Sequence, residues 1–303
     1  MPATFDPSHS ATSTTPQCYV GLAQWNHEDW HQHLHAQMGK QGALISYGRC
    51  FSSIEGNHTF YGVPTEAQSA RWYQETPAHF KFCLKLPKTI SHERALLNVN
   101  GLRDEFLENL SPLKEKLGAL CLQLPNSFDG TLLPRLAEFV EEFPKAYNLS
   151  VEVRHLDYFD KGTYETEFNQ LLHAHGVNRT LFDTRTLFQS TATDAATLDA
   201  KDKKPRVPLH VVATGSAPVV RIITPLNWQQ GLEQLSPWFE KLSQWCAQGK
   251  TPFVFLHTPN NSEAPLFAQA FCEALEAHSQ QTQKPCRVGF APWQTAHTQA
   301  GLF

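Results

Sequence analysis

Nowhere in the 303 residues does an apolar run approach the roughly 20 residues that a helix needs to cross a bilayer, so no membrane partner is expected. Positive charge is not in excess either. The 25 Lys and Arg stand against 29 Asp and Glu, a formal net charge of −4. That balance excludes a protein that coats nucleic acid through bulk charge and predicts no strong direct nucleic-acid binding. The seven cysteines (Cys18, Cys50, Cys83, Cys121, Cys246, Cys272 and Cys286) are odd in number and never spaced C-x-x-C. Neither a disulfide framework nor a structural zinc site is expected, and a cytoplasmic location is. Residues 1–17 contain no Lys or Arg and no apolar core, which predicts a disordered N-terminal tail rather than a signal or transit peptide. No Gly-rich phosphate loop in a strand-to-helix context, no G-x-S-x-G and no H-E-x-x-H occurs.

What is present is alternation. Eight β-type runs appear: CYVGLAQW (18–25), FSSIE (51–55), FKFCLK (80–85), GALCLQL (118–124), LSVEVRH (149–155), RTLFD (179–183), VVRII (219–223) and FVFLH (253–257). Their starts lie roughly 30 to 40 residues apart, the length of a βαβ unit. Amphipathic helices fall between them. Leu132, Leu136, Phe139, Val140 and Phe143 share one helical face, as do Tyr164, Phe168, Leu171 and Leu172 before Gly176, and Leu235, Trp238, Phe239, Leu242, Trp245 and Cys246 before Gly249. Eight strands alternating with helices predict an α/β fold, a single (β/α)8 TIM-type barrel over residues 18–278, with a doubly wound open sheet as the alternative. Residues 189–218 read as a long irregular loop and 279–303 as a C-terminal tail or partial helix.

Side chains two apart on a strand share a face. Opposite the apolar Ile54, Leu84, Leu120, Leu122, Val151, Val153, Phe182 and Leu256 stand Glu55 with Asn57, Lys85, Gln123, Glu152 with Arg154, Asp183 and His257. His155 and Arg221 join this set. Each strand thus carries its polar group near its C-terminal end, where barrel enzymes place their active sites. Glu55, Glu152 and Asp183, with His155, are the candidates for acid/base catalysis. Lys85, Arg154 and Arg221 suit a small anionic substrate such as a phosphate or carboxylate. His92, Arg94 and Asn261 line the expected rim. No cofactor is identified. A divalent metal is less favoured than an anion, because cations sit among the available ligands. An ion-pair network that merely closes the barrel mouth is the alternative reading of the same ring.

Taken in order, the runs GLAQWNHEDW, FSSIEGNHTFYGVP, RWYQETPAHFKFCLKLPKTISHERAL, LGALCLQLPNSF, VEVRHLDYF and FDT resemble the YecE-like family, over roughly residues 19–276. That family is a bacterial domain of unknown function. The resemblance implies a TIM-type barrel and supplies no reaction. Its recurring polar positions match Glu55, Asn57, Thr59, Phe60, Tyr61, Lys85, His92, Arg94, Gln123, Pro125, Glu152, Arg154, His155 and Asp183 here, which adds Tyr61 to the candidates for substrate binding. The chain departs from many relatives at RIITP after strand 7, where they carry Arg-x-His-Gly, and at LHTPNN, where they carry an aromatic-Asn-Asn end.

The chain ends Gln299-Ala300-Gly301-Leu302-Phe303. Gln299, Leu302 and Phe303 resemble the short peptide by which bacterial replication and repair proteins engage the DNA sliding clamp, with Ala300 where Leu is usual. A DNA-maintenance accessory protein tethered to the clamp is therefore the alternative to an enzyme.

Overall fold

The computed structural model describes residues 17–32, 34, 42–284 and 286–292. The terminal Gln299, Leu302 and Phe303, and all but the last residue of the expected tail at 1–17, lie outside the described residues.

All eight expected strands form: β1 (Cys18–Leu22), β2 (Ser53–Gly56), β3 (Lys81–Lys85), β4 (Leu117–Gln123), β5 (Leu149–Glu152), β6 (Asn178–Asp183), β7 (Val219–Ile223) and β8 (Phe253–His257). They pair in parallel in the order β2-β3-β4-β5-β6-β7-β8-β1, a nearly closed α/β barrel of the TIM type. The helices α1 (Ala43–Cys50), α2 (Glu66–Gln74), α3 (Asn100–Asn109), α4 (Leu133–Glu142), α5 (Thr163–Ala174), α9 (Ser236–Ala247) and α10 (Ala264–Thr282) fall in the segments between and after the strands. Local chemistry sets their ends. Thr65 and Gln68 form a reciprocal capping box at α2. Pro occupies the first turn of α4, α9 and α10. Gly176 and Gly249, which follow α5 and α9, have φ of +66° and +75°.

One core lies between sheet and helices, where Val20, Leu84, Val151 and Leu256 meet Phe139, Phe168 and Trp238. The opposite strand faces fill the barrel interior with Tyr19, Cys83, Cys121, Val219, Phe253 and Phe255. Tyr19 and Phe253 are register partners and stack at 4.9 Å.

Two features differ from the sequence expectation. The polar stretch from residue 279 carries the end of α10 and a ninth strand, β9 (Val288–Gly289), which pairs with β1. Two residues are too few to display a period. The stretch 189–218 holds a capped helix, α7 (Ala195–Lys203), preceded by α6 (Arg185–Gln189) and followed at a distance by α8 (Trp228–Glu233). Only Thr197 and Ala200 of α7 are buried, so it lacks the apolar stripe by which helices are read.

The seam between β1 and β2 has no strand ladder among the described residues. Near its lower end β9 spans it, pairing with β1 and bridging Phe51 through Phe290. Higher up, side chains substitute for backbone. Ser52 Oγ accepts from the Val20 N–H at 3.1 Å. The fully buried Tyr47 hydroxyl accepts from the Leu22 N–H at 2.7 Å and donates to the Ser53 carbonyl at 2.8 Å. A Cβ on Gly21 would stand 2.1 Å from the Ser53 carbonyl oxygen, so the close approach requires glycine. Tyr47→Phe leaves a buried donor and acceptor unmatched. A loss of about 1–3 kcal/mol is expected, measured by urea unfolding, with faster hydrogen exchange at the Leu22 amide.

Candidate active site at the barrel mouth

The C-terminal ends of six strands converge on one cluster. Glu55 (β2), Lys85 (β3), Gln123 (β4), Glu152 (β5), Arg221 (β7) and His257 (β8) are all buried. Arg154 and Asn57, just past β5 and β2, are half-buried above them.

Arg221 is the hub. Its NH1 donates to Glu152 Oε2 at 2.6 Å. Its Nε stands 2.6 Å from Glu55 Oε1 yet off the hydrogen-bond line. Its guanidinium also covers the inward-facing Phe182 ring at 4.4 Å. Glu152 Oε1 accepts from Arg154 Nε at 2.9 Å. Glu55 Oε2 accepts from Asn57 Nδ2 at 3.2 Å and lies 3.4 Å from His257 Nε2. Lys85 Nζ donates to Gln123 Oε1 at 2.7 Å.

These contacts decide which groups are charged. Burial alone would raise both carboxyls, but Arg221 and Lys85 hold Glu55 well below the usual range. Arg221 and Arg154 overcome the same burial at Glu152 and bring it to about 2. Burial lowers Lys85 to about 8, assisted by the Arg221 charge. Burial likewise lowers His257 to about 4, so its imidazole is neutral at physiological pH. Lys85 therefore titrates nearest neutrality, and perturbed groups of this kind concentrate at functional sites.

The remaining candidates fall in different places. His92 lies on a π-type turn, Thr89–Glu93, hydrogen-bonded to Ser91 at 2.8 Å and edge-on to Phe60 at 4.9 Å. Burial and then Arg154 and Lys85 lower its pKa, so it belongs to the same field. The turn continues through Ala95, Leu96 and Asn98, all at positive φ, a concentration of backbone strain of the kind found at binding sites. Tyr61 and Arg94 are exposed on the rim. Asn261, also at positive φ, accepts from Trp30 Nε1 through its carbonyl, while its buried Oδ1 has no partner. His155 is not brought into the cluster. It caps the short turn Leu156–Tyr158, accepting from the Asp157 N–H.

Asp183 corrects the expectation of an inward carboxylate. Phe182 takes the inward position on β6, and Asp183 faces the helix layer. There it accepts from Trp238 Nε1 at 2.7 Å and from Arg185 Nε at 2.9 Å. Phe182, the register partner of Arg221, holds the inward position despite its hydrophobicity, which shifts the parity of β6 by one residue from the apolar-outward pattern. Asp183→Ala is expected to cost about 1–3 kcal/mol in urea unfolding by orphaning Trp238, with anion binding at the mouth unchanged.

Lys204, at the end of α7, was not legible as a site residue. In KDKKP it reads as one more solvated charge. The structure packs Ala200 of α7 with Phe182 and Ile223 above the barrel. This brings Lys204 into the field of Arg221, Glu55, Arg154 and Glu152, and burial lowers its pKa. Its backbone N–H closes the helix on the Ala200 carbonyl, and among the described residues its ammonium makes no hydrogen bond. Four basic side chains (Lys85, Arg154, Lys204, Arg221) thus stand in the field of two carboxylates. Arg221 fills the space between Glu55 and Glu152 that a bridging divalent cation would occupy, and no three metal-ligating side chains converge among the described residues. The donor set suits an anion.

The model of the family described as "Protein of unknown function DUF72" matches residues 19–291. The chain belongs to the DUF72 family. It is 40% identical over 257 residues to UPF0759 protein YecE of Escherichia coli K12, covering 85% of this chain and 92% of that one. UPF0759 protein YunF of Bacillus subtilis is 26% identical over 117 residues, 37% of this chain and 41% of that one. Among solved structures, a DUF72 family protein from Enterococcus faecalis V583 superposes with a TM-score of 0.64 at 16% identity, over 86% of this chain and 95% of that one. That likeness establishes the fold. The DUF72 match extends past β9, so the short strand at the seam lies within the family's span. In this DUF72 barrel Ile223 takes the inward position beside His257, its register partner on β8.

Proposed function

We propose that this DUF72 protein is an enzyme that holds a small anionic ester, bearing a phosphate or a carboxylate, at the barrel mouth and hydrolyses its ester bond by acid/base catalysis, water adding to the acyl or phosphoryl group and the alcohol leaving with a proton. The observation that carries the reading is the excess of basic side chains over carboxylates at the mouth, with Lys85 buried among them and only partly engaged. Lys85 has two N–H groups beyond its bond to Gln123, and Lys204 has all of its own, so both have donors to spare for an anion. Arg154 supplies a third donor from the half-exposed edge. Arg221, already engaged by Glu55 and Glu152, positions the carboxylates. Glu55 stays ionised and orients the attacking water as a hydrogen-bond acceptor, and Lys85 is the proton donor whose pKa, about 8, lies close to working pH. The Nε2 of His257, buried and without a hydrogen bond, is the relay beside Glu55. Free, buried thiols support a reducing compartment, the cytoplasm.

The test is calorimetric titration of the full chain with orthophosphate and with succinate, followed by a panel of phosphate and carboxylate esters. Saturable binding of one anion, weakened roughly 10- to 100-fold in Lys85→Met, is expected. No binding of either anion and no turnover would overturn the proposal.

A second reading rests on Gln299, Leu302 and Phe303. Its two apolar anchors would fill a clamp pocket without involving the barrel. Clamp affinity of the full chain should then exceed that of a chain ending at residue 298; equal affinity removes the idea.

A further inference from the structure

Large apolar side chains are exposed unevenly. The four most exposed among the described residues are Tyr61 at 75%, Leu156 at 59%, Leu198 at 50% and Leu97 at 47%. All four lie on segments that follow the C-terminal ends of strands: after β2, β5, β6 and β3. Tyr61, on the turn that directly follows β2, is the most exposed of them and connects to the charged mouth through Phe60. An exposed ring beside a charged pocket fits a ligand with a charged head and an apolar body.

Tyr61 is tied to the charged site by ring contacts. Its ring meets Phe60 at 90° with centroids 5.2 Å apart. Phe60 meets His92 at 85° and 4.9 Å, and Lys85 Nζ stands 5.9 Å from the Phe60 ring. A continuous aromatic wall therefore runs from Lys85 at the mouth to a solvent-exposed phenol. Edge-on contact with Phe60 leaves most of Tyr61 available to a planar partner.

We infer that the ligand is a phosphate monoester carrying a planar ring, with its phosphate against Lys85 and its ring stacked on Tyr61. The inference rests on the anion reading and adds the body of the ligand to it. A dianionic phosphate suits the excess of basic groups at the mouth, and the rigid flat face of Tyr61 favours a ring over a flexible chain. Arg221 and His257 are both turned to Glu55, which leaves the Lys85 ammonium, with one bond to Gln123, as the buried donor free to meet the phosphate.

The discriminating experiment titrates three probes, orthophosphate, ribose 5-phosphate and adenosine 5′-monophosphate, into the full-length protein and into Tyr61→Ala, Tyr61→Phe and Lys85→Met. Adenosine monophosphate is expected to bind about tenfold more tightly than ribose 5-phosphate, the scale of one aromatic stacking contact. Tyr61→Ala should abolish that difference and Tyr61→Phe should keep it, because the ring and not the hydroxyl does the stacking. Equal affinity for the two esters, or an adenosine monophosphate affinity unmoved by Tyr61→Ala, overturns the inference and leaves the anion reading standing. Failure of all three probes to bind the unmutated protein removes the anion reading and the inference with it.

Discussion

Arg221→Met should destabilise the protein by about 3–5 kcal/mol at pH 7, the cost of removing one partner from a buried ion-pair network. Arg221 is 4% exposed and lies between Glu55 at 1% and Glu152 at 3%. Without it two buried carboxylates lose their shared counter-charge, and Lys85 and Arg154 offset only part of the loss. The pH dependence gives a second readout with opposite signs in the two proteins. In the unmutated protein the carboxyls are held below their ordinary values, Glu152 at about 2. Their contribution is complete above the unfolded carboxylate range and is lost as pH falls toward 2. In Arg221→Met burial is left largely unopposed, so both carboxyls rise above their unfolded values. That penalty is relieved by protonation, and the variant should gain stability on going from pH 7 to pH 5. Urea unfolding at the two values measures both effects. Combining Arg221→Met with Glu55→Gln and Glu152→Gln should recover most of the loss, because no buried charge is then left unpaired. A loss below about 1 kcal/mol in the single variant would mean that the mouth is far wetter than its burial indicates.

Lys85→Met should weaken phosphate binding roughly 10- to 100-fold, the equivalent of one charge-assisted hydrogen bond. The group titrates at about 8 because burial, then Arg221, disfavours its charge. Affinity in the unmutated protein should therefore fall as pH rises from 7 to 9.5, as the cation is lost. A bound dianion stabilises the protonated amine, so binding at pH 8 should take up a proton from the buffer. Calorimetry in two buffers of different ionisation enthalpy detects that uptake directly, and Lys85→Met should show neither the uptake nor the pH dependence. Affinity within twofold of the unmutated protein would exclude Lys85 as an anion ligand.

Much of the mouth was legible beforehand, for a simple geometric reason. Parallel strands covered by helices have a strict two-residue period and a helix-facing side that must be apolar. A polar residue at the inward parity near a strand end therefore stands out, as Glu55, Lys85, Gln123, Glu152 and His257 do. The same logic misled at β6, where the inward residue is Phe182. Hydrophobicity marks the helix side only while the interior is polar, and here Phe182 lies under Arg221. Asp183 then faces outward and is satisfied by Trp238, 55 residues along the chain. No local pattern announces such a partner.

The order and approximate extent of all eight main strands, the helix stops at Gly176 and Gly249, and the polar ring itself were determined by the sequence alone. Each depends on residues a few positions apart. Contacts between distant segments required the tertiary structure. It decided that Arg221 bridges Glu55 and Glu152, that α7 carries Lys204 over the mouth, and that Tyr47, Ser52 and β9 span the seam between β1 and β2. Periodicity reports which face a side chain occupies; only the packed chain determines what it meets there.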